Sequence, residues 1–301
     1  PGSQVFPGFS PTTAIDTSRN SYAGYLELDN DLTDAINVQV AGRFEHFSDF
    51  GSTINGKVAA KIDLFDGLGV RGSASTGFRA PGMAQQFFST TSTNNVGGQL
   101  IEIGTFPVGS PIAVALGAQP LEPEKSINLG GGAVFTLIPG LNLTVDYYNI
   151  KINDRIVLTE NLQGADVVAL LQAAGVVGTS ARFFINGIDT RTRGVDAVAS
   201  YTVPFSASSL ELTAAYSYND TEVQKFDASP AAFQALGITQ ALIGRDEIGR
   251  IEDSFPRDKA IVSGTWRSDH WELGLAATRY GSFTVRNSAT ALRDQTYGDA
   301  W

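Results

Sequence analysis

Apolar and polar residues alternate with a period of two along most of this chain. In 141–150, LNLTVDYYNI, the side chains of Leu141, Leu143, Val145 and Tyr147 fall on one face. Asn142, Thr144, Asp146 and Tyr148 fall on the other. That is a strand with one apolar and one polar face. Just upstream, Ile127, Leu129, Gly131, Ala133 and Phe135 alternate with Ser126, Asn128, Gly130 and Gly132. Pro139-Gly140 predicts a tight turn between the two. The same pattern predicts strands over 18–29, 36–46, 55–65, 68–76, 191–203, 210–218, 257–266 and 271–280. The strand beginning at 141 is expected to run on through 158. A further strand opens at Thr296, so the pattern holds ten full strands and one partial one.

The connections alternate in length. Short turns are expected at 30–35, at the hairpin signal Asp66-Gly67, and at 139–140, 204–209 and 267–270. Between them lie excursions at 77–124, 159–189 and 219–255, with lesser loops at 47–54 and 281–295. Short helices are expected within 112–116, 165–174 and 231–242. Residues 1–17 and the polar run 89–98 read as loop. Compact domains rarely hold so many long structureless connections. Strands near ten residues exceed the usual five or six and suit a strand tilted across a bilayer.

Aromatic placement agrees. Phe65, Tyr201, Trp266 and Trp271 lie near short turns, and Tyr22, Phe44, Tyr216, Tyr218 and Tyr280 near long loops. Two such belts fit two membrane interfaces. In hydrocarbon every backbone polar group must be paired, so a membrane sheet has to close. The reading is therefore all-β: a membrane-spanning antiparallel barrel. Leu143 and Val145 are expected to meet lipid. Thr144, Asp146, Asp196, Glu27, Arg43, Glu45, Glu211 and Glu272 are expected to face the lumen. The last strand has no obvious stop, so residues 1–301 read as part of a larger barrel.

Composition narrows the chemistry. Hydrophobic residues make up 43% and charged residues 17%, which rules out bulk disorder. A net charge of -10 opposes a nucleic-acid partner. Cysteine is absent, and His46 and His270 belong at opposite ends of a barrel, so no shared metal site is expected. No nucleophile elbow occurs, and Gly130-Gly131-Gly132 lies inside a strand rather than before a helix. No enzyme activity, catalytic residue, metal ligand or cofactor is assigned. No apolar run reaches a helical span, which leaves a β-barrel open.

Four segments carry a resemblance. SASTGFRAP at 73–81, LEPEKSINLG at 121–130, VDYYNIKINDRIVL at 145–158 and NGIDTRTRGVDAVASY at 186–201 occur in order. Together they resemble the C-terminal barrel of TonB-dependent outer-membrane receptors. The resemblance implies a barrel of about 22 strands around a plug. This chain would be about strands 10 to 20, with the plug, the TonB box and the final strands outside it. It implies uptake of a scarce solute across the bacterial outer membrane. An iron-siderophore complex is the expected cargo, with cobalamin, haem or oligosaccharide as alternatives. A passive porin-like channel is the rival. Implied partners are an extracellular small-molecule ligand, the TonB energy-coupling complex through the N-terminal part, and membrane lipid with lipopolysaccharide.

Candidate ligand contacts in the long loops are Arg79, Phe87, Phe88, Phe183 and Phe184. Each has a plainer alternative: an ion pair for Arg79, and anchoring of one loop to another for the phenylalanines. Glu122 and Glu124 read as a polar network. Gly194 is expected to permit a bulge or close packing.

Overall fold

The structure, a computed structural model, describes residues 14–96, 99–176, 178–288 and 290–301. Expectations for residues 1–13, and for 97–98 within the polar run, lie outside the described residues. The chain opens with β1 (Ser21–Thr33), β2 (Ile36–Phe47), β3 (Gly51–Phe65) and β4 (Leu68–Arg79). The first excursion holds α1 (Met83–Phe87), β5 (Thr90–Val96), β6 (Gln99–Thr105) and α2 (Pro111–Ala115). Then come β7 (Glu124–Phe135) and β8 (Leu141–Leu158). The second excursion holds β9 (Leu162–Gln163), α3 (Ala165–Ala173) and β10 (Ser180–Arg182). It leads to β11 (Phe184–Phe205) and β12 (Ser208–Phe226). The third holds α4 (Ala231–Ala235) and α5 (Arg245–Glu252). The chain finishes with β13 (Asp258–Ser268), β14 (Glu272–Tyr280), β15 (Phe283–Val285) and β16 (Gln295–Tyr297).

Ten strands form one antiparallel meander in the order β1-β2-β3-β4-β7-β8-β11-β12-β13-β14. β1 and β14 are its edges and do not pair with each other, so this sheet is open. The expected eleventh wall strand is reduced to β16, which pairs with β15, and one antiparallel bridge between Tyr280 and Ala300.

The register fixes the faces. Asp146 lies opposite Gly132 and Asp196, and Asp196 opposite Ser217. Following these rows across the sheet puts Glu27, Arg43, Glu45, Asp146, Asp196, Glu211 and Glu272 on one face. The opposite face carries Leu26, Ile54, Val58, Leu129 and Leu275, the last 85% exposed. Burial of apolar area in a protein core cannot hold such a wall together; its outer face needs an apolar solvent. Tyr280 departs from the expected belt. It lies opposite Lys259 on the polar face, with the ammonium 5.1 Å from its ring centroid.

Several boundaries differ from the sequence expectation. β1 runs to Thr33, because Asn37 on β2 donates its amide to Asp29 and Asp31, leaving a two-residue turn. β11 starts at Phe184 rather than at 191, since residues 184–190 still pair with β8 through two register shifts. Asp154 takes φ 55 there, and Asp189 accepts its N–H at 3.0 Å. Such bulges mark strand rims. At about 3.3 Å per residue, the 22 residues of β11 reach roughly 70 Å, about twice the strand length a tilted crossing needs. The helix expected over 231–242 ends at Ala235, because Gly237 adopts φ +60 and stops it. The first excursion is not structureless; β5 and β6 form a hairpin.

Candidate functional site

All long excursions leave from the same end of the sheet, opposite the short turns. There they condense into one buried apolar cluster. The first excursion supplies Phe106 and Leu116, the second Leu162 and Phe183, the third Phe233 and Leu242. The projecting ends of β8 and β11 add Val157 and Ile188. Backbone pairing reinforces it: β10 lies parallel to β6 and antiparallel to β9, and Glu160 N–H donates to the Leu242 carbonyl. The three loops thus make one folded cap.

Polar clamps tie the cap to the wall. At the end of β4, the Arg79 guanidinium grips Glu124 through two nitrogens, the Nε bond being 2.7 Å. Glu124 is only 4% exposed, and the Ile156 N–H donates to its Oε1 at 2.7 Å. Arg19 salt-bridges Asp49 at 2.6 Å, donates to the Pro81 carbonyl at 2.7 Å and lies over the Phe50 ring. Burial pushes the Asp49 carboxyl up, but bonds from Arg19 and Gln86 hold it below its ordinary value. Within the cap, Arg182 donates to Thr105 Oγ1 at 2.8 Å. Burial and then Arg250 push its guanidinium down, against the pull of Glu247, Glu160 and Asp246. At the rim of the third loop, Arg245 pairs with Asp294 at 2.5 Å. The Arg245 bonds, helped by the Asn287 N–H, hold Asp294 at about 2.

The polar face of the wall is concave between β1 and β8. A cavity of about 350 Å³ there is lined by Asp29, Lys57, Lys61, Arg71 and Asp146. Arg71 holds Asp146 at 2.5 Å across two strands. This is a charged, water-accessible lining.

The candidate contacts are not gathered into one site. Arg79 is engaged with Glu124. Phe87 ends α1 half-buried, and Phe88 caps that helix 42% exposed. Phe183 is fully buried in the loop cluster, so its ring meets other loops. Phe184, on the opposite side of the chain, packs half-buried against Val108, Leu121 and Ile156. Glu122 joins the expected polar network: its N–H donates to the Asn186 amide oxygen, and the Asn186 amide donates back to its carbonyl. Gly194 serves close packing, because register is regular around it and an added Cβ would meet the Tyr148 ring and lie 2.5 Å from the Tyr218 carbonyl. Sequence reading missed Arg19, Arg182, Arg245 and α5. One signal for α5 was present: Asp246 and Glu247 in a first turn and Arg250 in the last, matching the helix dipole.

Comparison with known proteins follows this geometry. The family model described as TonB dependent receptor-like, beta-barrel, matches residues 1–300. Among solved structures, the siderophore receptor PirA of Acinetobacter baumannii superposes with a TM-score of 0.64 at 15% identity, over 94% of this chain and 38% of that one. A mutant of the ferric enterobactin receptor PfeA of Pseudomonas aeruginosa gives 0.64 at 13%, over 94% and 36%. The RagAB peptide transporter gives 0.58 at 14%, over 88% and 34%. No curated protein matches. The chain therefore spans little more than a third of the solved chains it resembles. It belongs to the TonB-dependent receptor β-barrel family, whose place is the bacterial outer membrane.

Proposed function

We propose that this wall and cap are part of an energy-coupled importer. In this reading residues 1–301 are about strands 10 to 20 of a barrel of about 22 strands closed around a plug. The cap captures a scarce solute from outside, and a TonB complex acting on the plug drives its release inward. Nothing in the cycle is covalent. The observation that carries the reading is the family match along the chain, joined to three excursions folded into one cap at a single end. An iron-siderophore complex is the proposed cargo. Support comes from PirA and PfeA, which are described as siderophore and ferric enterobactin receptors and share the fold. Phe88, exposed on the first excursion, is the candidate with a free ring to offer such a ligand.

The test is uptake by cells carrying the full-length receptor, compared with a deletion strain and with a strain lacking TonB. Radiolabelled ferric siderophores, short peptides and glycans are the cargoes. Siderophore uptake that needs both receptor and TonB supports the reading. Uptake that persists without TonB returns it to the passive channel, and uptake of peptides alone overturns the cargo. The peptide arm is motivated by the RagAB likeness.

A further inference from the structure

We infer that the lipid-facing side of the wall carries, at its outer end, a binding site for the phosphate groups of an outer-leaflet lipid, formed by Lys125, Lys151 and Arg191. The inference rests on the outer-membrane reading above. Register places the three on the apolar face. Along β8, Leu143, Val145, Tyr147, Asn149 and Lys151 alternate outward without interruption. Lys151 lies directly opposite Arg191 on β11, and opposite Ile127 on β7, which puts Lys125 on the diagonal. Arg191 donates Nε to Asn149 Oδ1 at 3.1 Å, so its side chain stays on that face. Lys125 and Lys151 are exposed and Arg191 half-buried.

Like charges set directly across two strands destabilise a sheet. Among the described residues, Lys125, Lys151 and Arg191 make no ion pair: Glu222, which lies directly opposite Arg191 on β12, is paired with Arg193 at 3.0 Å, and Arg191 turns to the Asn149 amide. A chain with a net charge of -10 has abundant carboxylates, yet presents three unpaired cations here. The height suits a headgroup. Ile127 lies beside Lys151, and inward of the cations, past the polar row of Asn149 and Arg193, lie exposed Tyr147 and Val195. From Leu141 to Lys151 is about 33 Å along the strand. At a tilt near 40° that is roughly 25 Å along the membrane normal, the height of the apolar band of an outer-membrane barrel. Three cations above an apolar band fit an anionic headgroup whose acyl chains lie beneath it.

The full-length receptor is placed in bilayer discs of phosphatidylethanolamine and titrated with lipopolysaccharide carrying or stripped of its lipid phosphates, with binding read by native mass spectrometry. The expected loss for the double variant K151Q/R191Q is about 30-fold, roughly fivefold per basic residue at an anionic surface. The charge-conserving K151R/R191K keeps wild-type binding, and K57Q on the inner face changes nothing. Stripped lipid binds wild type and double variant alike, and millimolar inorganic phosphate does not compete. Equal binding of both lipids by wild type, an equal loss in K57Q, or an equal loss in K151R/R191K would overturn the site. Heat-modifiable gel mobility shows that each variant is folded. A wild-type receptor that fails to enter the discs refutes the membrane reading and this site with it. One that enters without discriminating between the lipids refutes the site alone.

Discussion

Replacing Arg79 with alanine separates a structural clamp from a ligand contact. In the structure Arg79 holds Glu124 through two nitrogens, and Glu124 is 4% exposed. Stranding one member of a fully buried pair costs about 3–5 kcal/mol. Two features reduce that figure. The Arg79 side chain is 55% exposed, so water already screens the pair. The Ile156 N–H also remains on Glu124 Oε1. About 2 kcal/mol is then expected for local opening, or roughly a 30-fold shift in its equilibrium. The readout is amide hydrogen exchange at Ile156 in the full-length receptor, because that N–H reports directly on Glu124. Arg79→Ala should exchange roughly 30-fold faster. Adding Glu124→Gln should recover most of the protection, since a neutral amide oxygen still accepts the bond without a stranded charge. If Arg79 instead serves a ligand, Arg79→Ala will abolish uptake with Ile156 protection unchanged, and Glu124→Gln will restore nothing. That result would refute the clamp.

Three further outcomes are expected. Ala197→Arg should destabilise the folded barrel by about 2–4 kcal/mol in urea titration, since Ala197 lies near the middle of the apolar band and faces lipid between Val145 and Tyr216. Its neighbour Val198→Arg, between Thr144 and Ala215 on the polar face, should cost under about 1 kcal/mol; equal costs would reverse the assigned faces. Gly194→Ala should cost about 1–3 kcal/mol by overpacking. Tyr148→Ala should relieve only part of it, because the Tyr218 carbonyl stays in place; complete relief would show that the ring alone sets the glycine. The Arg245–Asp294 clamp should be acid-sensitive only at extreme pH. Asp294 is held at about 2, below its ordinary 3.8, so its contribution is fully present above about 3.8 and disappears as pH falls through about 2. Protection of the Asn287 amide, which donates to Asp294 at 2.8 Å, should persist at pH 4 and be weakened at that pH in Asp294→Ala, which removes the acceptor; loss already at pH 4 in the unaltered chain would contradict the assignment.

The wall was legible because its two faces see different media along each strand, and period-two alternation records that directly. Asp66-Gly67 and the strand from Leu141 to Leu158 were readable for this reason. Legibility failed where the strands leave the membrane. Between Phe184 and Thr190 the chain pairs on one side with β8 and packs Ile188 into the cap, so the alternation is overwritten and the strand reads as loop. The cap itself joins residues far apart in sequence, such as Phe106 and Phe233, and no local period carries that information. Phe183 and Phe184 part for a simpler reason. Adjacent residues in extended chain point to opposite sides, so Phe183 and Phe184 could never share one surface.

The distribution of burial explains why the cap is so well folded. A soluble sheet stores its apolar surface in a core, but this wall spends its apolar face on lipid and its polar face on a lumen. Neither face leaves a dry interior within the spanning rows, where Leu26, Val58 and Leu275 are exposed. The main buried cluster instead lies wholly in the excursions and in the ends of β8 and β11 that carry them outward. The loops in water must therefore be ordered by their own hydrophobic contacts, since the wall offers them only strand ends and rim clamps such as Arg79–Glu124 and Arg19–Asp49. Two stability sources follow, separable by solvent. Detergent that loosens the lipid face should leave Leu116, Phe183 and Phe233 protected, whereas a polar substitution such as Phe233→Asp should open the cap and leave the β1–β4 hairpins paired. If Phe233→Asp unpairs those hairpins as well, wall and cap are a single cooperative unit and the division is wrong.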